Sequence, residues 1–164
     1  MAKKGFAVGL DEEVARLDAI GEAGRAAITA ALYDGAAVIA DAVAAAAQNL
    51  PTDTNPGHPF TGPLAAITPE DAADLAAGVG IAHFDDTGDG RSTAVSIEGY
   101  TRRTEKGYPN GVPLPMIARS LESGSSVRQK NPFVRRAVSG AQAACEAAMV
   151  AAGERVIQQV AGEE

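Results

Sequence analysis

The chain has one cysteine, Cys145, two histidines, His58 and His83, and no tryptophan. A lone cysteine excludes an internal disulfide, and with it the small secreted domain held together by such bridges. Two histidines without a cysteine pair make no zinc set, and neither sits in a pattern that builds a nucleophilic triad. The sequence holds no GxxxxGK[ST] phosphate loop and no GxSxG elbow. Carboxylates are plentiful, but no spacing singles out a pair for acid–base work. Phosphoryl transfer, hydrolysis and metal catalysis therefore all lack their parts, and the expectation is a non-enzyme without cofactor or metal. A hydrolase would need the fold to converge two acids on a bound metal.

Aromatic residues are scarce at 4% while alanine is abundant, so a core here must come from Leu, Ile and Val and from close helix contacts. A long apolar run is missing too. The N-terminal MAKKGFAVGLDEE carries two lysines but no signal-peptide core. The most apolar stretch, residues 35–50, includes Asp41 and Gln48 and falls short of the ~20 residues a bilayer span needs. A soluble cytosolic product with no membrane contact is expected, folded as a single domain over residues 1–164.

The net charge of −7 is unevenly spread: residues 100–136 hold eight Lys/Arg and two Asp/Glu, a balance of +6, leaving −13 for the remainder. A basic segment on an acidic body suits head-to-neighbour packing of like subunits in a ring. The same segment would suit a phosphate backbone, with Tyr100 and Tyr108 stacking on bases. The plain alternative is a solvated loop that folds back on its own acidic helices.

In chain order, residues 1–9 read as a frayed, flexible N-terminus or an edge strand. Residues 10–20 read as helix, and Gly21 and Gly24 as a weak point where the helix bends. A long helix follows over 25–49, with Ile28, Leu32, Ile39, Val43 and Leu50 on one core-facing stripe, and alanines that permit close approach. Pro51 ends it. Residues 51–63, with four prolines and two glycines, form an extended loop that includes His58. Thr68-Pro69-Glu70-Asp71 is a helix start with N-cap, proline and acids in place. After Gly78, residues 80–84 read as extended. Asp85–Gly90 half-resembles a calcium loop, but Thr87 and Ser96 stand where ligands are required, so a glycine-rich hairpin turn is preferred. Residues 92–99 alternate like a strand.

Residues 116–137, MIARSLESGSSVRQKNPFVRRA, are the densest in punctuation. A helix ends at Gly124, a polar loop follows, and Asn131-Pro132 opens the last helix, residues 131–159. Ala137, Ala141, Cys145, Ala148, Ala152 and Val156 form its apolar stripe, widened by Met149, Ile157 and Val160. Residues 161–164 form a tail. Arg135 and Arg136 lie in the first turn, where the helix dipole disfavours cations by about 0.3–1 kcal/mol each. Either they serve a contact outside the helix or they are solvated at little cost.

Residues 97–138 carry a more specific pattern: SIEGY, PNG, IARSLESGSS and QKNPFVRRAV. It resembles a family of small tail-component proteins of long-tailed bacteriophages, described as tail-completion, neck or head–tail joining proteins. In that family a strand ends in Gly-Tyr, here Gly99-Tyr100. An Ile-Ala-Arg helix follows, here Ile117-Ala118-Arg119, running into Glu-x-Gly-Thr, here Glu122 with Gly124-Ser125. A basic loop then leads to Pro-Phe-(aliphatic)-Arg-Pro-Ala, here Pro132 to Ala137. Thr61-Gly62-Pro63-Leu64 to Ile67 is similar to an upstream element of the family. Ser125 departs from the usual Thr, and Arg136 from a common second Pro. The resemblance implies an α+β fold, with long N- and C-terminal helices packed on a small antiparallel sheet. It also implies an oligomeric ring, hexameric or dodecameric, at the head-proximal end of the tail, and no catalysis. Implied partners are like subunits and other neck and tail proteins, with genome DNA passing nearby without specific binding. The implied location is the virion neck, after assembly in the host cytoplasm. Charge and resemblance together make Arg119, Glu122, Arg128, Lys130, Phe133, Arg135 and Arg136 the candidates for contacts between subunits. A nucleic-acid-binding module and a non-virion assembly factor are the competing readings.

Overall fold

The computed structural model describes residues 7–53, 67–86, 90–125 and 128–161, with side chains of the first helix described from residue 18 and of the last up to 159. Most of the 51–63 loop with His58, the tip of the Asp85–Gly90 turn and the tail from residue 162 lie outside the described residues. The fold is α+β; the described residues form helices α1 (Ala7–Gln48), α2 (Pro69–Ala77), α3 (Leu114–Ser123) and α4 (Phe133–Ala161) and four short strands. Strands β1 (Val79–Ile81) and β4 (Val95–Ile97) pair antiparallel with Gly80 opposite Ser96. Strands β2 (Asp85–Asp86) and β3 (Arg91–Ser92) pair the same way, with Asp86 opposite Arg91. The two ladders are one interrupted hairpin. Between them the Ala82 amide donates to the Ala94 carbonyl at 2.7 Å, and the Thr93 hydroxyl donates to the Ala82 carbonyl at 2.8 Å.

α1 and α4 lie side by side and antiparallel. Val43 and Ala47 pack near Phe133, Val134 and Ala137, whereas Asp34 pairs with Arg155 at 3.2 Å. At 1.5 Å per residue, α1 is about 63 Å long and α4 about 43 Å. Gly35 marks their close approach: a Cβ there would stand 2.5 Å from Cγ of Met149 and 3.2 Å from Sγ of Cys145. Cys145 is half-buried against Met149, in keeping with a packing role.

The core gathers at one end of this pair. Val43, Ala47 and Leu50 meet Leu75 of α2, Leu114, Ile117 and Leu121 of α3, and Phe133 of α4. Each fully buried side chain of this kind contributes about 1.5–3 kcal/mol relative to exposure. Away from the core, α1 and α4 keep apolar side chains in solvent, with Ile28, Val150 and Ile157 each more than half exposed.

Several sequence expectations are met. Thr68 caps α2, its hydroxyl accepting from the Asp71 amide at 3.0 Å, with Pro69 opening the helix. Gly124 stops α3 at φ +80°, where a side chain would be strained. Others are corrected. α1 runs unbroken through Gly21 and Gly24, because two glycines at roughly 1 kcal/mol each do not outweigh the helix formers around them. That continuity joins apolar turns, so Asp18–Gln48 is long and apolar enough to cross a membrane by length and composition alone, contrary to the expectation from residues 35–50. Ile28 and Ile157 have helical spacing for a core face, but both side chains stand more than half exposed. Asn131 does not cap the α4 amides: its Oδ1 accepts instead from Nη2 of Arg136.

Candidate functional site

The basic segment leaves β4 at Gly99 and returns at Pro113 as a short excursion closed on itself. The Thr101 amide donates to the Val112 carbonyl, and the Val112 amide donates to the Thr101 hydroxyl, each at 2.9 Å. That buried hydroxyl in turn donates to the Arg103 carbonyl at 2.7 Å. Further out, Glu105 and Tyr108 exchange backbone hydrogen bonds.

Two consecutive arginines tie the excursion to α2. Arg102 donates to Asp74 through its amide at 2.8 Å and its Nε at 2.6 Å. Arg103 reaches the other way, Nη2 donating to Oδ2 of Asp71 at 3.0 Å and Nη1 donating to Glu105. Asp71 and Asp74 are three apart on α2 and so share a helix face. The hydrogen bond that Arg103 donates to Asp71 is the largest influence on its guanidinium and holds its pKa above the usual value, against the opposing effect of burial. This part of the basic segment therefore does fold back on the chain's own acids.

The α3–α4 junction uses a carboxylate as its pivot. Glu122, near the end of α3, accepts from the amides of Val134 at 3.1 Å and Arg135 at 3.2 Å, and from Nε of Arg135 at 3.1 Å. The negative charge sits where the α4 dipole favours it, which offsets the two arginines of the first turn. The Asn131 amide donates to the Leu121 carbonyl at 2.7 Å and fixes the angle between the two helices.

Between the excursion, α3 and the loop after it lies a cleft of about 210 Å³. Val112 and Ile117 form its apolar floor, and Tyr108 and Met116 line its side. At its polar end the half-buried Arg128 donates from Nη1 to the Ser120 hydroxyl at 2.8 Å. Burial is the main effect on Arg128 and pushes its pKa down. Asp71 and Glu105 oppose that effect, and the charge of Arg103 adds to it.

The sequence-derived candidates thus part company. Arg128 faces the cleft. Glu122 and Arg135 pair with each other, and Arg136 turns onto Asn131 and the Pro132 carbonyl. Arg119 and Lys130 are exposed. Phe133 is 3% exposed in the core, so it is not a surface residue of the chain. Sequence reading missed Asp71 and Asp74 as the anchors of Arg102 and Arg103. Their spacing on a capped helix was visible, but their partners lie about thirty residues away. It also missed the Tyr108–Met116 wall. Among the described residues no group of three or more His, Cys, Asp or Glu is placed to hold a metal ion. No protein family, curated protein or solved structure matches the chain.

Proposed function

We propose that this chain is a structural subunit of a bacteriophage neck or proximal tail, assembling as a ring that joins or completes the tail. The observation that carries this reading is the 97–138 pattern, whose residues meet as one compact unit: the excursion, α3, the Glu122 pivot and the start of α4. Two features support self-association. The charge is split between a basic segment and an acidic remainder. Apolar side chains of α1 and α4, among them Ile20, Ile28, Val150 and Ile157, stand in solvent on helices that extend beyond the core.

A nucleic-acid module draws less support, because Arg102 and Arg103 are held by Asp74 and Asp71, and phosphates would have to displace those carboxylates. A bilayer span by α1 would carry Asp34 and Asp41 deep into hydrocarbon, at about 2.5–3.5 kcal/mol for each at the helix centre. The ion pair from Asp34 to Arg155 suits an aqueous setting. Mass spectrometry of purified particles of the encoding phage tests the proposal. A fixed, ring-sized copy number per virion is expected, whereas presence in infected cells but absence from particles would favour the assembly-factor reading.

A further inference from the structure

The cleft beneath Tyr108 has an unbalanced member. Arg103, at one side, has Asp71 and Glu105 as partners. Arg128 has only the neutral oxygen of Ser120 among the described residues, although a guanidinium carries five N–H donors. A half-buried cation with no carboxylate in contact is costly to keep: Asp71 and Glu105 act on it only from a distance, and an anion seated directly on its free N–H donors relieves the desolvation. Drug-sized ligands occupy pockets from about 300 Å³ upward. A cleft of about 210 Å³ instead takes an inserted side chain. The local count of Arg103, Arg128, Asp71 and Glu105 is zero, so a dianionic phosphate would meet two acids. A carboxylate adds a single negative charge and matches the guanidinium fork.

The exposed surface of the same chain offers a matching group. Glu154 of α4 is exposed and lies four residues after Val150 and three before Ile157, so all three share one helix face. Val150 is 60% exposed and Ile157 59%, so both stand in solvent among the described residues. An acid between two bare apolar side chains complements a cation beside the apolar Tyr108–Met116 wall. We propose that the Arg128 cleft receives Glu154 of a second copy of this chain, with Val150 and Ile157 lying against Tyr108 and Met116. The two surfaces are different patches, so the contact is heterologous and repeats head to tail, as a ring requires. This inference rests on the ring reading and names its contact.

Sedimentation velocity of the wild type, R128E, E154R and the double variant R128E/E154R tests it, with circular dichroism and thermal melts to confirm folding. Each single reversal is expected to weaken self-association by about tenfold or more. The double variant, which restores opposite charges, is expected to recover it toward wild type. Because Glu154 is exposed, E154R reports even where R128E disturbs the fold. A wild type that assembles while E154R and a folded R128E assemble equally well overturns this contact alone. Loss in the single variants without recovery in the double overturns the pairing. A wild type that never self-associates overturns both the contact and the ring reading.

Discussion

Glu122 and Asp71 each answer to more than one partner. The carboxylate of Glu122 accepts from two α4 amides and from Arg135, so replacing it by alanine removes both a cap and a compensating charge. E122A is expected to lower stability by about 1–2 kcal/mol in urea titrations, with E122Q losing less because its amide oxygen still accepts. R135A should change little, since that side chain is 68% exposed. Asp71 is 1% exposed, and its loss removes the buried carboxylate beneath Arg103 and leaves that side chain with Glu105 alone. D71A is expected to cost on the order of 3 kcal/mol. The sign for Arg103 is that of a cation with a raised pKa. Its contribution is complete below the unfolded pKa and is lost only as pH climbs through the folded one, which for arginine is strongly alkaline. Stability between about pH 5 and 9 should therefore not respond to Arg103. Little of this was legible beforehand. Asn131 read as the cap of α4 because Asn-Pro is a local signal, whereas Glu122 reaches the same amides across a loop that no local pattern spans.

α1 and α4 form the longest contact in the molecule, and their glycines separate two physical situations. At Gly35 any added side chain meets Met149 and Cys145. G35L is expected to destabilise by about 1–3 kcal/mol, and M149A in the same chain to relieve part of the loss. Nothing stands within 4 Å of a Cβ built at Gly21 or Gly24. G21A and G24A should each stabilise by up to about 1 kcal/mol, read as a shift in melting temperature. Element boundaries with chemical punctuation were legible: the Thr68-Pro69 start, the stop at Gly124, the end of α1 before Pro51. The unbroken course of α1 through Gly21 and Gly24 was not, since a glycine lowers helix stability without deciding the outcome inside a long favourable run. The stripes were legible as faces but not as burial. Val43 and Ala152 are covered, while Ile28 and Ile157, on the same two helices, stay more than half exposed. Periodicity identifies a face, and only the tertiary structure says what lies against it.

For the whole molecule, the charge split changes meaning once the fold is known. Part of the basic segment is spent inside the chain, on Asp71, Asp74 and Glu122. Lys106, Arg119, Arg128, Lys130 and Arg136 are left without carboxylate partners among the described residues. An assembly built on these cations and a neighbour's acids should loosen as salt is raised, because exposed charges are screened within about 10 Å at 0.1 M. Sedimentation velocity in a salt series reads this as a shift toward smaller species. The most direct test of the account is the native mass of the purified protein over a range of concentrations, alone and with neck and tail partners. Closed assemblies at one fixed multiple of the 16.6 kDa chain are expected. A strictly monomeric species under all those conditions would contradict the ring subunit proposed here.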